Sequence, residues 1–263
     1  PTLQEVKSWL GKCFAMKDLG EAAYILGIRI LRDRSKRLIG LSQSTYLDKV
    51  LKRFSMQDSK KGELPIQSNT RLSKTQSPST EAEIAEMSRT PYASAVGSIM
   101  YAMTCTRPDV AFALSMVSRY QANPGKAHWT AVKNILKYLR RTKDWVLTLG
   151  GSDDLRVVGY SDASFQTDRD NFRSQSGWVF TLNGGAISWK SSKQETVADS
   201  TCESEYIAAS EAAKEAIWLK NFIGDLGVVP AIKEPMEIFC DSESAVALAK
   251  EPRDHGRSRH IDR

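Results

Sequence analysis

The chain has 263 residues, 41% of them hydrophobic and 26% charged, which is enough for two modest domains with a core each. No apolar run approaches the ~20 residues of a bilayer span, and the first residues carry neither part of a secretion signal. Four scattered cysteines (Cys13, Cys105, Cys202 and Cys240), with no C-x-x-C pair, argue against a zinc site or a disulfide framework and for reduced thiols inside a cell.

The net charge of +6 hides an asymmetry. Residues 1–150 hold 24 Lys and Arg against 12 Asp and Glu (+12), whereas residues 151–263 hold 13 against 19 (−6). A basic half beside an acidic half suits a polyanion-gripping module joined to a cation-binding one; two solvated surfaces of opposite sign are the plainer alternative. The chain begins at Pro1 and stops in mid-pattern at Asp262-Arg263, as a piece of a longer polypeptide would.

In chain order, Leu3, Val6, Leu10 and Phe14 predict an amphipathic helix within residues 1–20. A hairpin follows, with one strand over Ala23–Ile30, a turn at Asp33-Arg34-Ser35-Lys36 and a return over Leu38–Gln43. Ser44 or Thr45 is placed to cap a helix in which Tyr46, Val50, Leu51 and Phe54 share a face. Residues 57–89 are polar, lack apolar periodicity and predict a loop crossing a surface. Three helices come next, opened at Pro91-Tyr92, at Arg107-Pro108-Asp109 and at His128-Trp129, the last running to Arg141. Its Lys133, Lys137, Arg140 and Arg141 suit either a solvated face or contact with phosphates.

Glycines, small polar residues and the charge change place a domain boundary at residues 150–154, dividing 1–149 from 150–263. Strands are predicted over 155–161, 176–182 and 186–190, with Asn183-Gly184-Gly185 as a hairpin turn. A long helix over 201–226 ends at Gly227, and a strand (236–240) and a short helix (244–250) follow.

Four acids stand out. Asp162 ends an apolar strand, where a carboxylate must be solvated, paired or bound to a cation. A right-handed crossover through the long helix would set the strand ending at Asp241 parallel to the strand ending at Asp162, at the switch point where open α/β sheets place their sites. On the long helix, Glu203 fits a capping box with Ser200. Glu205 instead lies on the stripe Cys202, Ala209, Ala212, Ala213, Ala216, Leu219, which must face the sheet. Asp162, Glu205 and Asp241, with Asp262 as a further member, are hard oxygen ligands suited to Mg²⁺ or Mn²⁺. Taken one at a time, each is better explained as a turn or cap; it is three at convergent positions that point to a site. His128 fits packing or the surface, and His255 and His260 lie beside the terminal acid, where they could assist proton transfer or product release.

Gly159-Tyr160-Ser161-Asp162-Ala163, Arg173 to Phe180, Gly185 to Ser191, Glu203-Ser204-Glu205-Tyr206, Cys240 to Ala245 and Arg259-His260-Ile261-Asp262 are together similar to the ribonuclease H domain of copia-like LTR retrotransposon polyproteins. Phe14 to Gly20, Tyr24 to Ile28 and Thr106-Arg107-Pro108-Asp109 resemble the region after the reverse-transcriptase catalytic motif of the same polyproteins. The resemblance implies an α/β fold: a ribonuclease H-like mixed sheet flanked by helices, preceded by a mostly helical thumb- and connection-like region with a β-hairpin. It implies an acidic quartet, Asp162, Glu205, Asp241 and Asp262, that binds two Mg²⁺ (or Mn²⁺) ions and cuts the RNA strand of an RNA–DNA hybrid. The upstream reverse-transcriptase domain is the expected partner. No membrane is involved, and the setting is intracellular, a cytoplasmic virus-like particle or the nucleus. The paired-aspartate strand of the polymerase has no counterpart in these residues, so DNA synthesis is not expected of them. Arg173, Lys190 and Lys193 are candidate phosphate contacts. Two competing readings are a catalytically silent nucleic-acid-binding remnant of a decayed element, and an integrase or exonuclease of the same fold.

Overall fold

The computed structural model describes residues 2–151, 155–227 and 229–250. Helix α1 (Leu3–Cys13) starts at a reciprocal cap, in which the Thr2 hydroxyl accepts from the Glu5 amide and the Glu5 carboxylate accepts from the Thr2 amide. None of its residues is buried.

The single strand expected over Ala23–Ile30 is broken. Tyr24–Ile25 (β1) and Ile28–Asp33 (β2) pair antiparallel around Leu26-Gly27, which have φ of 49° and 78°. That is a two-residue hairpin turn, and Gly27 makes its second left-handed position available at little cost. The second turn falls where expected: Asp33 Oδ1 accepts from the amides of Ser35 and Lys36, and the chain returns as β3 (Leu38–Ser42). An unexpected strand, β4 (Leu147–Gly150), completes this sheet in the order β1-β2-β3-β4.

Helices α2 (Ser44–Arg53), α4 (Tyr92–Thr106), α5 (Ala111–Ser118) and α6 (Lys126–Arg141) enclose a core that includes Leu47, Val96, Ile99, Leu114, Ile135 and Leu139. The N-cap of α2 is Gln43, not Ser44 or Thr45. Its side chain is buried and accepts from the Thr106 hydroxyl at 2.7 Å, which ties α2 to the end of α4. The segment expected to be a bare loop holds a 3-10 turn at Lys74–Gln76 and helix α3 (Glu81–Met87). Thr80 and Glu83 form a capping box there, and Leu72 and Met87 are buried. Of the two places open to His128, packing or surface, it takes the first: fully buried, it stacks on Tyr120 at 4.0 Å and its Nδ1 accepts from the Gly125 amide. Burial lowers its pKa, consistent with a neutral ring whose Nε2 donates to the Ser73 carbonyl.

The second sheet has the order β7-β6-β5-β8. Strands β5 (Val157–Ser164), β6 (Gln175–Leu182) and β7 (Gly185–Lys193) form an antiparallel meander, turning at Asn183-Gly184 with φ of 50° and 77°. Helix α7 (Thr201–Leu226) lays Ala212, Ala216, Leu219 and Ile223 against Val157 and Phe180. Ala213, expected on that face, is exposed. Gly159 lets the Phe180 ring cross β5, since a Cβ there would lie 2.5 Å from the ring. The helix ends at Gly227 with φ of 66°, a left-handed cap. Strand β8 (Glu237–Cys240) then pairs parallel with β5, and α8 (Glu243–Lys250) follows. The molecule is thus mixed α/β, and among the described residues no helix is long and apolar enough to cross a membrane.

Polar contacts link residues on the two sides of position 150, where the boundary is expected. Arg119 at the end of α5 pairs with Asp168 at 2.8 Å, and the Gln175 amide donates to the Ser115 hydroxyl at 2.8 Å. The Trp189 indole donates to the Met103 carbonyl, and the Lys74 amide donates to Asp170.

Candidate metal centre

Parallel pairing of β5 with β8 runs from Val158 opposite Glu237 to Ser161 opposite Cys240. One step further along stand Asp162, two residues inside the end of β5, which runs on past the end expected for it, and Asp241, directly after β8. Both are exposed. Two residues behind them on the same strand faces, Tyr160 and Phe239 stack with ring centroids 5.5 Å apart.

The first turns of α7 supply the third acid. The Ser200 hydroxyl accepts from the Glu203 amide, and the Glu203 carboxylate accepts from the amide of Asp199, one residue before the expected N-cap partner. Glu203 is therefore committed to holding the helix start. Glu205 turns to the strand ends, where the Ala163 amide donates to it. Its Oε2 is buried and has no hydrogen-bond partner among the described residues. Burial pushes the Glu205 carboxyl above the usual carboxylate range, and the neighbouring charges of Asp162 and Asp241 add to this against the Ala163 amide.

Glu205, Asp241 and Cys240 each place one ligand atom within 4.8 Å of the others. Asp162 lies outside that tight set but is close enough to act on Glu205 as a neighbouring charge. An enclosed carboxylate oxygen without a donor, facing two further acids, fits a hard divalent cation. Cys240, one of the four scattered cysteines, is not marked as a ligand by the sequence, because a single cysteine at a strand end carries no spacing signal. Its place directly before Asp241 was the only clue. Asp262, His255 and His260 lie outside the described residues.

A groove of about 750 Å³ opens beside Asp162, between the start of α5 and the β5–β7 strands. Asp109, Phe112, Tyr160, Trp189 and Lys190 are among its walls. Of the three candidate phosphate contacts, Lys190 is exposed at this groove. Lys193 is turned to Asp168 at 3.0 Å. Arg173 lies in the loop between β5 and β6, its carbonyl accepting from the Asp168 amide.

No protein-family model matches the chain, and no solved structure matches it. Curated relatives do. The retrovirus-related Pol polyprotein from transposon TNT 1-94 of Nicotiana tabacum is 49% identical over 260 residues, 99% of this chain and 19% of that polyprotein. The retrovirus-related Pol polyprotein from transposon RE2 of Arabidopsis thaliana is 32% identical over 255 residues, 96% of this chain and 17% of the relative. The secreted RxLR effector protein 161 of Plasmopara viticola is 48% identical over 133 residues, 51% of this chain and 94% of that protein. The chain thus spans about a fifth of the length of the polyproteins it matches. Matched along nearly its whole length, it belongs to the retrovirus-related Pol polyproteins of copia-type transposons.

Proposed function

We propose that residues 150–263 act as a ribonuclease H-like domain that hydrolyses the RNA strand of RNA–DNA hybrids during reverse transcription. Residues 1–149 are then the thumb- and connection-like region of the reverse transcriptase that precedes it. The observation that carries this reading is Glu205, from the first turns of α7, within ligand reach of Asp241, with Asp162 a neighbouring charge on the adjacent parallel strand. The meander β7-β6-β5 with β8 added in parallel supports it, because this is the mixed sheet that the resemblance implies.

Asp162, Glu205 and Asp241, joined by Asp262, would hold two Mg²⁺ or Mn²⁺ ions. Such ions supply an activated water and neutralise charge on the leaving 3′-oxygen, giving 3′-hydroxyl and 5′-phosphate ends. The chain's own part is positional. Two rigid strands fix the spacing of Asp162 and Asp241, and the capped start of α7 holds Glu205 against them. Glu205 stays ionised at neutral pH more readily when a cation faces it. The groove beside Asp162, with Lys190 on its wall, offers a path for one strand of a hybrid read through its backbone and 2′-hydroxyls. Arg173 is a further phosphate contact, and Lys193 would act there only by leaving Asp168. The setting is inside the cell, in a virus-like particle or the nucleus.

The test is cleavage of an end-labelled RNA–DNA hybrid by the whole chain in Mg²⁺, beside EDTA and the Asp241→Asn variant. Expected is Mg²⁺-dependent cleavage that falls by more than ~100-fold in the variant, since even outer metal partners matter 10–100-fold. Equal cleavage by the variant, or cleavage indifferent to EDTA, would sink the proposal. No cleavage at all would favour a silent remnant.

A further inference from the structure

Helix α7 turns a second apolar face away from the sheet. Ile217, Trp218, Phe222 and Leu226 are 64%, 55%, 48% and 56% exposed. At 100° per residue Trp218, Phe222 and Leu226 form one row, about 130°, 90° and 50° from the middle of the face of Ala216, Leu219 and Ile223 that packs on the strands, while Ile217 lies on the other flank. Trp218 and Phe222, one turn apart, stack nearly flat, with centroids 5.1 Å apart and planes 6° from parallel. Trp218, Phe222 and Leu226, spaced i, i+4 and i+8 and each about half exposed, make a contiguous apolar row of the kind that marks interaction surfaces on soluble proteins. The candidate metal centre uses none of them.

The charges at the two ends of this stripe name a partner. Lys214 lies one turn before Trp218, and Asp225 lies one turn after Phe222 on the same side; both are exposed. A stripe with a cation at one end, an anion at the other and two stacked aromatics between them is complementary to itself when reversed. We propose that α7 pairs antiparallel with α7 of a second copy of this chain, about a two-fold axis near residue 220. Trp218 of one copy then meets Phe222 of the other, and Lys214 meets Asp225 at both ends, as an isologous contact requires. Parallel pairing would set lysine on lysine and aspartate on aspartate. The contact spans about 12 residues, or ~18 Å of helix, and is small for a stable dimer, so the pairing is a weak one that mass action controls.

Sedimentation velocity of the whole chain over a range of micromolar concentrations tests this, with circular dichroism to check that each variant folds. The wild type is expected to dimerise reversibly, and Trp218→Glu to remain monomeric. Lys214→Glu or Asp225→Lys alone should weaken dimerisation roughly tenfold, and the two together should restore it, as a coupled pair does. Three results would overturn the proposal: a wild type that is monomeric throughout, a dimer that survives Trp218→Glu, or combined charge reversals that fail to restore pairing. The first would assign the stripe to another part of the polyprotein.

Discussion

Two enclosed acids in the C-terminal half are treated in opposite ways. In the loop between β5 and β6, Asp168 is 2% exposed and fully answered: Arg119 and Lys193 pair with it at 2.8 and 3.0 Å, and the Asp170 amide donates to it. Burial alone would raise its pKa, but Lys193, the Asp170 amide and Arg119 together hold the carboxyl below the usual carboxylate range. At the strand ends, Glu205 has one backbone donor, a buried oxygen without a partner, two acidic neighbours and a raised pKa. The first acid is finished by the protein and serves the fold. The second has no counter-charge among the described residues, which the divalent ion of the proposed function would supply.

The largest expected effect breaks the finished acid. Asp168→Asn leaves the guanidinium of Arg119 enclosed without its counter-charge, which costs about 3–5 kcal/mol when a buried pair loses one member. Chemical denaturation measures it, and a loss below ~1 kcal/mol would show that Asp168 does not join the two regions. The sign with pH is fixed by the lowered pKa. Its stabilising effect is present above the unfolded value of ~3.9 and is lost as pH falls through the folded value, so the variant should show a shallower acid transition.

Next comes the unfinished acid. A divalent ion that binds only the folded chain adds ~2.7 kcal/mol at 100 times its Kd, and Glu205→Gln should abolish that gain. In EDTA the same substitution should raise the melting temperature. The folded-state pKa of Glu205 is raised, so its charged form costs stability as pH rises through that value, and the cost should vanish in the variant. A variant less stable than wild type in EDTA would contradict this account of Glu205.

Gly159→Ala tests the sheet on which the site stands. Its Cβ would meet the Phe180 ring at 2.5 Å, and overpacking of this kind costs ~1–3 kcal/mol. The smallest effect is expected on the surface. Lys143 pairs with Asp48 at 2.8 Å with both side chains at least a third exposed, so Lys143→Ala should cost less than ~1 kcal/mol and less still in high salt.

The C-terminal half was legible wherever one period or one cap decided the outcome. Asn183-Gly184 allowed only a tight hairpin, Gly227 ended α7, and Glu203 was separated from Glu205 by the cap that Ser200 forms. The N-terminal half was harder because competing local signals decided it. Leu26-Gly27 reads as part of a strand until the turn it makes is seen, and α3 rests on a capping box with little apolar period behind it. β4 was missed because a sequence gives no sign of which edge, here that of β3, a four-residue strand will find. In the site, Asp241 beside Asp162 followed from the crossover rule. The Asp168 knot did not, because Arg119 reaches it from the other side of the boundary.

The most direct measurement is Mn²⁺ titration of the whole chain at neutral pH, followed by electron paramagnetic resonance, in wild type and in Glu205→Gln. The account predicts saturable binding by the wild type that weakens at least tenfold in the variant. Equal affinity in the two would contradict it.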